Sequence, residues 1–260
     1  MSLKLVSLAS GSKGNCTLVF SDSTAILVDA GISFSRLSQE LRRFGLSPAK
    51  LDGVVVTHEH TDHVCGLPRL EQYVPVYAHP LTAEAIYRRQ GALANYREQE
   101  FYEGGFTVGD IEVVPFRIPH DAAYPLGYTF RVAGGAQVSV ATDMGRPTVG
   151  VFNNIRESEV VLLEANHDVD MLKNGSYPER LKRRILSDTG HLSNDMTAVF
   201  AERLVGSAVK TLLLGHISQN NNLPELAFGT VKGRLLQRDC CDIAVALALQ
   251  DSASEVYEVK

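Results

Sequence analysis

Apolar positions fall in short runs along this chain, and their spacing changes from one run to the next. Leu3 to Ala9, Cys16 to Phe20 and Thr24 to Val28 are brief β-rich stretches, with a turn at Ser21-Asp22-Ser23 between the last two. Ser35 to Arg43 places Leu37 and Leu41 four apart and stops before Gly45, which predicts a helix. Gly53 to Val56 is wholly apolar and predicts a buried strand, and Val74 to Ala78 predicts another. Thr82 to Gln90 is helical with Thr82 as its expected cap. From Gln99 to Gly145 the pattern turns β-rich, with strands expected at Val108 to Ile118, Gly127 to Val132 and Gln137 to Thr142. Glycine pairs at 104–105 and 134–135 mark the turns.

Val160 to Leu163 is a further strand, ending in Glu164, and Tyr177 to Leu186 a basic helix. Ser193 should cap a helix running to about Val205, and Thr211 to Leu214 forms a strand. A helix from Leu223 to Gln237 precedes closing strands at Ile243 to Leu249 and Val256 to Val259. A β-rich half followed by a helix thus occurs twice. That order predicts an α/β fold of two sheets with helices outside and active residues in loops at one edge. No linker or short-period repeat interrupts it, so residues 1–260 read as one domain.

Composition narrows the function little. The chain is 45% hydrophobic and 21% charged, ordinary for a globular protein, and its net charge of −5 announces no basic field. No apolar run approaches the roughly 18 residues of a membrane span, and the first eight residues are too short for a signal peptide. A soluble protein with no membrane partner is expected. The cysteines, Cys16, Cys65, Cys240 and Cys241, show neither disulfide nor zinc-thiolate spacing, which suits a reducing, cytoplasmic location.

The chemistry is concentrated in Thr57-His58-Glu59-His60-Thr61-Asp62-His63. In extended chain His58 and His60 point one way and Glu59 the other. Thr61 is placed to cap a short helix that brings Asp62 and His63 round. Three histidines so close are hard to bury without partners, so the stretch reads as a metal site. Polar residues also end strands at Asp29, His120, Asp143, Glu164 and His216. Together they suffice for two divalent ions: His58, His60 and His120 around one, Asp62, His63 and His216 around the other, and Asp143 between. Imidazole and carboxylate without thiolate suits zinc, manganese or iron. Two such ions about 3.5–4 Å apart favour hydrolysis. The loop from Ser10 to Asn15 either presents donors to an anion or simply joins two strands. Ser10, Ser12 and Asn15 are its candidate phosphate contacts.

These residues carry a resemblance. T-H-E-H-T-D-H is similar to the H-x-H-x-D-H signature of the metallo-β-lactamase fold. L-V-D-A-G at Leu27 to Gly31, I-P-H at Ile118 to His120, A-T-D-M-G at Ala141 to Gly145 and L-G-H-I-S at Leu214 to Ser218 resemble its other motifs, in order. The resemblance implies a four-layer αββα sandwich, the same seven ligands, and an Asp29 that orients a ligating histidine from behind. Asp143 departs from the zinc β-lactamases and His60 from the diiron flavoprotein reductases. There is no room for the inserted domain of the β-CASP nucleases, nor a C-terminal helical domain of the glyoxalase type.

L-L-E-A-N-H-D around Glu164 and S-D-T-G-H-L-S-N around His191 resemble paired motifs of transfer-RNA 3′-processing nucleases, where a Glu and a His assist the leaving group. L-A-S-G-S-K-G-N-C, G-H-L-S-N and H-I-S-Q-N-N-N resemble the YycJ/WalJ (VicX) branch. That branch implies a 5′-to-3′ DNA exonuclease, with nucleic acid as partner, DNA before RNA. Asp62, Glu164 and His191 are then the expected catalytic residues. Arg146, Arg180 and Arg183 would grip the backbone, unless they are only a solvated face. The competing enzyme is a small-molecule metallohydrolase acting on a thioester, lactone or cyclic phosphate. A non-catalytic regulatory protein would not be expected to keep every ligand.

Overall fold

The structure is a computed structural model that describes residues 1–91, 93–97, 105–238 and 242–260. The first sheet is built from β1 (Leu3–Ala9), β2 (Cys16–Phe20), β3 (Ala25–Val28), β4 (Gly53–Val55), β5 (Val76–Tyr77) and β6 (Tyr96–Arg97). The second is built from β7 (Phe106–Val108), β8 (Ile111–Arg117), β9 (Leu126–Arg131), β10 (Gln137–Ala141), β11 (Val160–Glu164), β12 (Thr211–Gly215) and β13 (Ala244–Leu247). A last strand, β14 (Tyr257–Val259), returns to the first sheet and pairs antiparallel with β1. Each sheet runs in simple neighbour order: β14-β1-β2-β3-β4-β5-β6 and β13-β12-β11-β10-β9-β8-β7.

The period of two along each strand builds the layers. Leu5, Ile26, Val55, Leu162 and Leu213 face the other sheet, where Tyr128 and Phe130 fill the middle. The alternating residues of the first sheet, Val6, Leu8, Leu27 and Val54, face outward. They are covered by α1 (Phe34–Arg42), α3 (Leu67–Leu70) and α4 (Pro80–Gln90), which follow or flank the four-residue α2 (Thr61–Val64). On the second sheet Val161, Leu163, Leu212 and Leu214 face outward instead. There α5 (Val149–Ile155), α8 (Asn194–Arg203) and α9 (Pro224–Leu236) cover them through Ile155, Phe200 and Leu235. Two further helices, α6 (Val169–Asn174) and α7 (Glu179–Ile185), lie between β11 and α8 in the chain. The result is the expected αββα sandwich. Both strand faces are buried, and each fully buried Leu or Ile contributes about 1.5–3 kcal/mol.

Strand direction decides where chemistry can collect. β3, β4 and β5 are parallel, as are β10, β11, β12 and β13. β8 and β10 are both antiparallel to β9, so β8 also runs with that set. Asp29, His58, His120, Asp143, Glu164 and His216 lie at or just beyond the carboxyl ends of β3, β4, β8, β10, β11 and β12.

Some local expectations differ. Thr61 is the first residue of α2, not its cap; His60 holds the cap position and no side chain closes it. Thr82 lies buried inside α4, its hydroxyl donating to Tyr124 O, while the His79 ring accepts from Leu81 N and caps that helix. The run from Val108 to Ile118 breaks into a hairpin at Gly109, whose φ of 59° suits glycine and bends the chain into β8. The turn at 134–135 joins β9 to β10 as expected, with φ of 105° and 96°. Gly104, Cys240 and Cys241 lie outside the described residues, and Cys16 and Cys65 are free thiols. Among the described residues no helix is long and apolar enough to cross a membrane.

Candidate metal centre

Three residues that must turn side chains back into the sheet edge adopt left-handed backbone without being glycine: Asp29 (φ 62°), Asp143 (φ 62°) and His216 (φ 53°). Such conformations cost about 1–3 kcal/mol each and persist where surrounding contacts hold them. Here those contacts are visible. Asp29 N donates to Val55 O at 2.9 Å, His216 N to Ser10 Oγ at 2.7 Å, and Asn166 Nδ2 to His216 O at 2.9 Å.

The imidazoles converge. His58 Nε2 lies 3.0 Å from His60 Nδ1, and His120 Nε2 3.3 Å from that same atom. Asp62 Oδ2 is 3.4 Å from His216 Nε2 and 3.6 Å from His63 Nε2. Asp143 stands between the two sets: Oδ2 is 3.3 Å from His63 Nε2, and Oδ1 is 3.5 Å from His216 Nδ1 and 4.0 Å from His120 Nε2. Each trio brings one donor atom per residue within 4.8 Å of the others, the span a single cation bridges.

Four rings have their other nitrogen engaged from behind, which sets orientation and leaves one lone pair for the centre. His63 Nδ1 faces Asp29 Oδ2 at 2.7 Å, and His216 Nδ1 faces Glu164 Oε1 at 3.0 Å. His120 Nδ1 faces Gly190 O at 3.0 Å, and His58 Nδ1 faces Thr57 Oγ1 at 3.0 Å. Thr57 itself donates through N and Oγ1 to the two Asp29 oxygens, both at 2.8 Å. Glu59 accepts from Ala123 N and pins the loop after His120.

Electrostatics divide the rings into two groups. Burial, with neighbouring imidazoles, depresses His58 well below the ordinary histidine value; burial also lowers His60 and His120. Neutral rings are the ligating form. Burial opposes charge on His216 too, but Asp143, Asp62 and Glu164 outweigh it and raise that ring to about 10. His63 is raised well above its usual value by Asp143, Asp29 and Asp62 against the same burial. Four buried or half-buried carboxylates therefore create a place that stabilises positive charge. Asp143 Oδ2, fully enclosed, accepts no hydrogen bond although His63 Nε2 is near. Donor chemistry and the unsatisfied oxygen both fit divalent cations.

Beside this cluster, His191 Nδ1 lies 2.7 Å from Glu164 Oε1. Glu164 Oε2 accepts from Met144 N at 2.6 Å and Leu192 N at 3.2 Å. Burial disfavours the Glu164 anion, yet His191 and His216 hold its pKa down at about 2. Asp143, Glu164, His191 and His216 also lie within ligating distance of one another. The Glu164 contacts occupy the Nδ1 atoms of both rings, which leaves His216 Nε2 with the Asp62 set.

The centre opens into a cavity of about 340 Å³. Of the three candidate phosphate contacts, Ser12 fronts it. Ser10 is spent on His216 N, and Asn15 Nδ2 lies 3.0 Å from His63 Nε2 and 3.1 Å from Gly11 O, so both position the centre. The cationic wall also differs from expectation. Arg146 pairs with Asp188 and Arg183 leans on Glu179 O, whereas Arg89 and Arg184 line the cavity. Asp121 holds Arg184 at both ends, with contacts of 2.5 and 2.8 Å. Tyr177, Asn166 and Ser218 line it as well and were not singled out from sequence. Helical spacing was the available signal for Arg184, since it shares a face of α7 with Leu181 and Ile185. The His79 ring stacks on Tyr124.

Comparison with known proteins agrees with this geometry. Residues 24–217 match the family model described as "Beta-lactamase superfamily domain". Exodeoxyribonuclease WalJ of Streptococcus pneumoniae is 36% identical over 97% of this chain and 96% of its own length. Exodeoxyribonuclease YycJ of Bacillus anthracis is 35% identical over the same shares. Among solved structures, the metallo-β-lactamase fold protein YhfI from Bacillus subtilis superposes with a TM-score of 0.71 at 18% identity, covering 99% of both chains. The chain belongs to the beta-lactamase superfamily, in the family of the WalJ and YycJ proteins.

Proposed function

We propose that this protein is a metal-dependent exonuclease that hydrolyses DNA phosphodiesters from a strand end, using two divalent cations per chain. The observation that carries the reading is the Glu164–His191 pair, 2.7 Å apart, set beside a cluster of seven ligating side chains. His58, His60 and His120 would hold one ion, Asp62, His63 and His216 the other, and Asp143 would serve both. When bound, such ions polarise the phosphodiester and make the attacking water more acidic. Family membership, with relatives named exodeoxyribonucleases over nearly the whole length, supports DNA as substrate. The sequence resemblance supports 5′-to-3′ polarity.

The chain's own residues then divide the work. Arg89 and Arg184 neutralise phosphate oxygens at the cavity wall, and Asp121 fixes the Arg184 guanidinium by accepting from its Nε and Nη2. Asp29 and Glu164 fix the His63 and His216 rings. A leaving alkoxide needs a proton as the P–O bond breaks. His191, with Nδ1 tied to Glu164, has an Nε2 without a partner among the described residues from which to donate it. Glu164 steadies the ring as it gives up the proton.

The test is a time course on 5′- and 3′-labelled DNA and RNA with Mn²⁺, Zn²⁺ or no added metal. Stepwise shortening of DNA from the 5′ end, abolished by chelation, is the expected result. Cleavage of bis-p-nitrophenyl phosphate with every nucleic acid left intact would replace this reading with a small-molecule hydrolase.

A further inference from the structure

One wall of the catalytic cavity is apolar although the rest is polar. Tyr177, Leu181 and Ile185 line it, four residues apart, on the turn before α7 and on α7 itself. Leu181 and Ile185 share one face of α7, and Tyr177, which precedes the helix, joins them in lining the cavity that holds Asp62, Asp143 and His191. Metal chemistry gives no use for an aromatic ring there. The ring is also held: Asn220 Nδ2 donates to Tyr177 Oη at 2.9 Å, tying it to the loop two residues beyond Ser218, itself a cavity residue. The helix behind is braced by the Arg184–Asp121 pair and by Lys182 Nζ, which donates to Lys173 O at 2.7 Å.

We infer that Tyr177, backed by Leu181 and Ile185, is a nucleobase subsite on which the unpaired base beside the scissile phosphate stacks. The inference rests on the DNA reading above and deepens it. An aromatic face accepts any base, because stacking uses the π surface and not the hydrogen-bonding edge. Arg89 and Arg184 line the same cavity and can meet the phosphate of the stacked nucleotide. A cavity of about 340 Å³ has room for a nucleotide-sized ligand.

The experiment compares wild type, Tyr177→Ala and Tyr177→Phe on single-stranded oligonucleotides whose terminal residue carries a base or is an abasic analogue. Stacking on a protein aromatic is worth a factor of about 10 in kcat/KM. Wild type should lose about that factor when the base is removed. Tyr177→Ala should lose it on the normal strand and far less on the abasic one, while Tyr177→Phe keeps the preference for a base. Equal losses on both strands would show a merely structural tyrosine and overturn the inference, as would a wild type indifferent to the base. Those results would leave the nuclease assignment standing. A protein inert on all DNA would overturn that assignment and this one with it.

Discussion

Replacing His191 by Ala separates the leaving-group role from the metal centre. The substitution removes one partner of Glu164, but Met144 N, Leu192 N and His216 Nδ1 remain at 2.6, 3.2 and 3.0 Å. The buried carboxylate thus stays satisfied, and the loss of stability should be about 1–2 kcal/mol, within what a domain of this size tolerates. Catalysis should suffer more. General acid assistance is worth about 10²–10⁴-fold, or roughly 3–5 kcal/mol in the barrier. On DNA, His191→Ala should lose turnover by that factor. On bis-p-nitrophenyl phosphate, whose leaving group departs without a proton, it should lose far less. The assay is kcat on both substrates with metal content measured on the same preparation. Equal losses on the two, or a variant that has lost its metals, would refute the reasoning.

Asp143→Ala should weaken both metal positions at least about tenfold, because one carboxylate faces both sets; metal analysis of the purified variant checks it, and one ion per chain in metal-replete wild type would end the two-ion scheme. DNA cleavage at low substrate should fall steeply between about 50 and 200 mM salt, and Arg89→Ala should lower the log–log slope by about one. Tyr128→Phe removes a buried 2.7 Å bond to Val56 O just before the metal motif. The stranded carbonyl should cost about 1–3 kcal/mol in urea denaturation, with activity at low denaturant retained.

The four layers were legible in the chain because a period of two along a strand needs no partner to be recognised. Leu5 and Val6, or Leu212 and Leu213, already declare opposite faces. The metal-type residues were legible for a related reason: carboxylates and imidazoles at the ends of apolar runs are too costly to bury for packing alone. Residue type and position therefore carried the fold class and the candidate ligands.

Orientation was not written locally. Which nitrogen of His63 or His216 faces the centre depends on Asp29 and Glu164, tens of residues away in the chain and supplied by other strands. Ser10 and Asn15 read as part of either an anion loop or a plain strand connection until packing set them against His216 N and His63 Nε2. Arg89 was indistinguishable from neighbouring solvated charges, and the helical spacing of Arg184 did not say what it would face until α4 and α7 came to line one cavity. Short-range pattern fixes what a residue can do, whereas only the docking of two sheets and their helices decides what it meets.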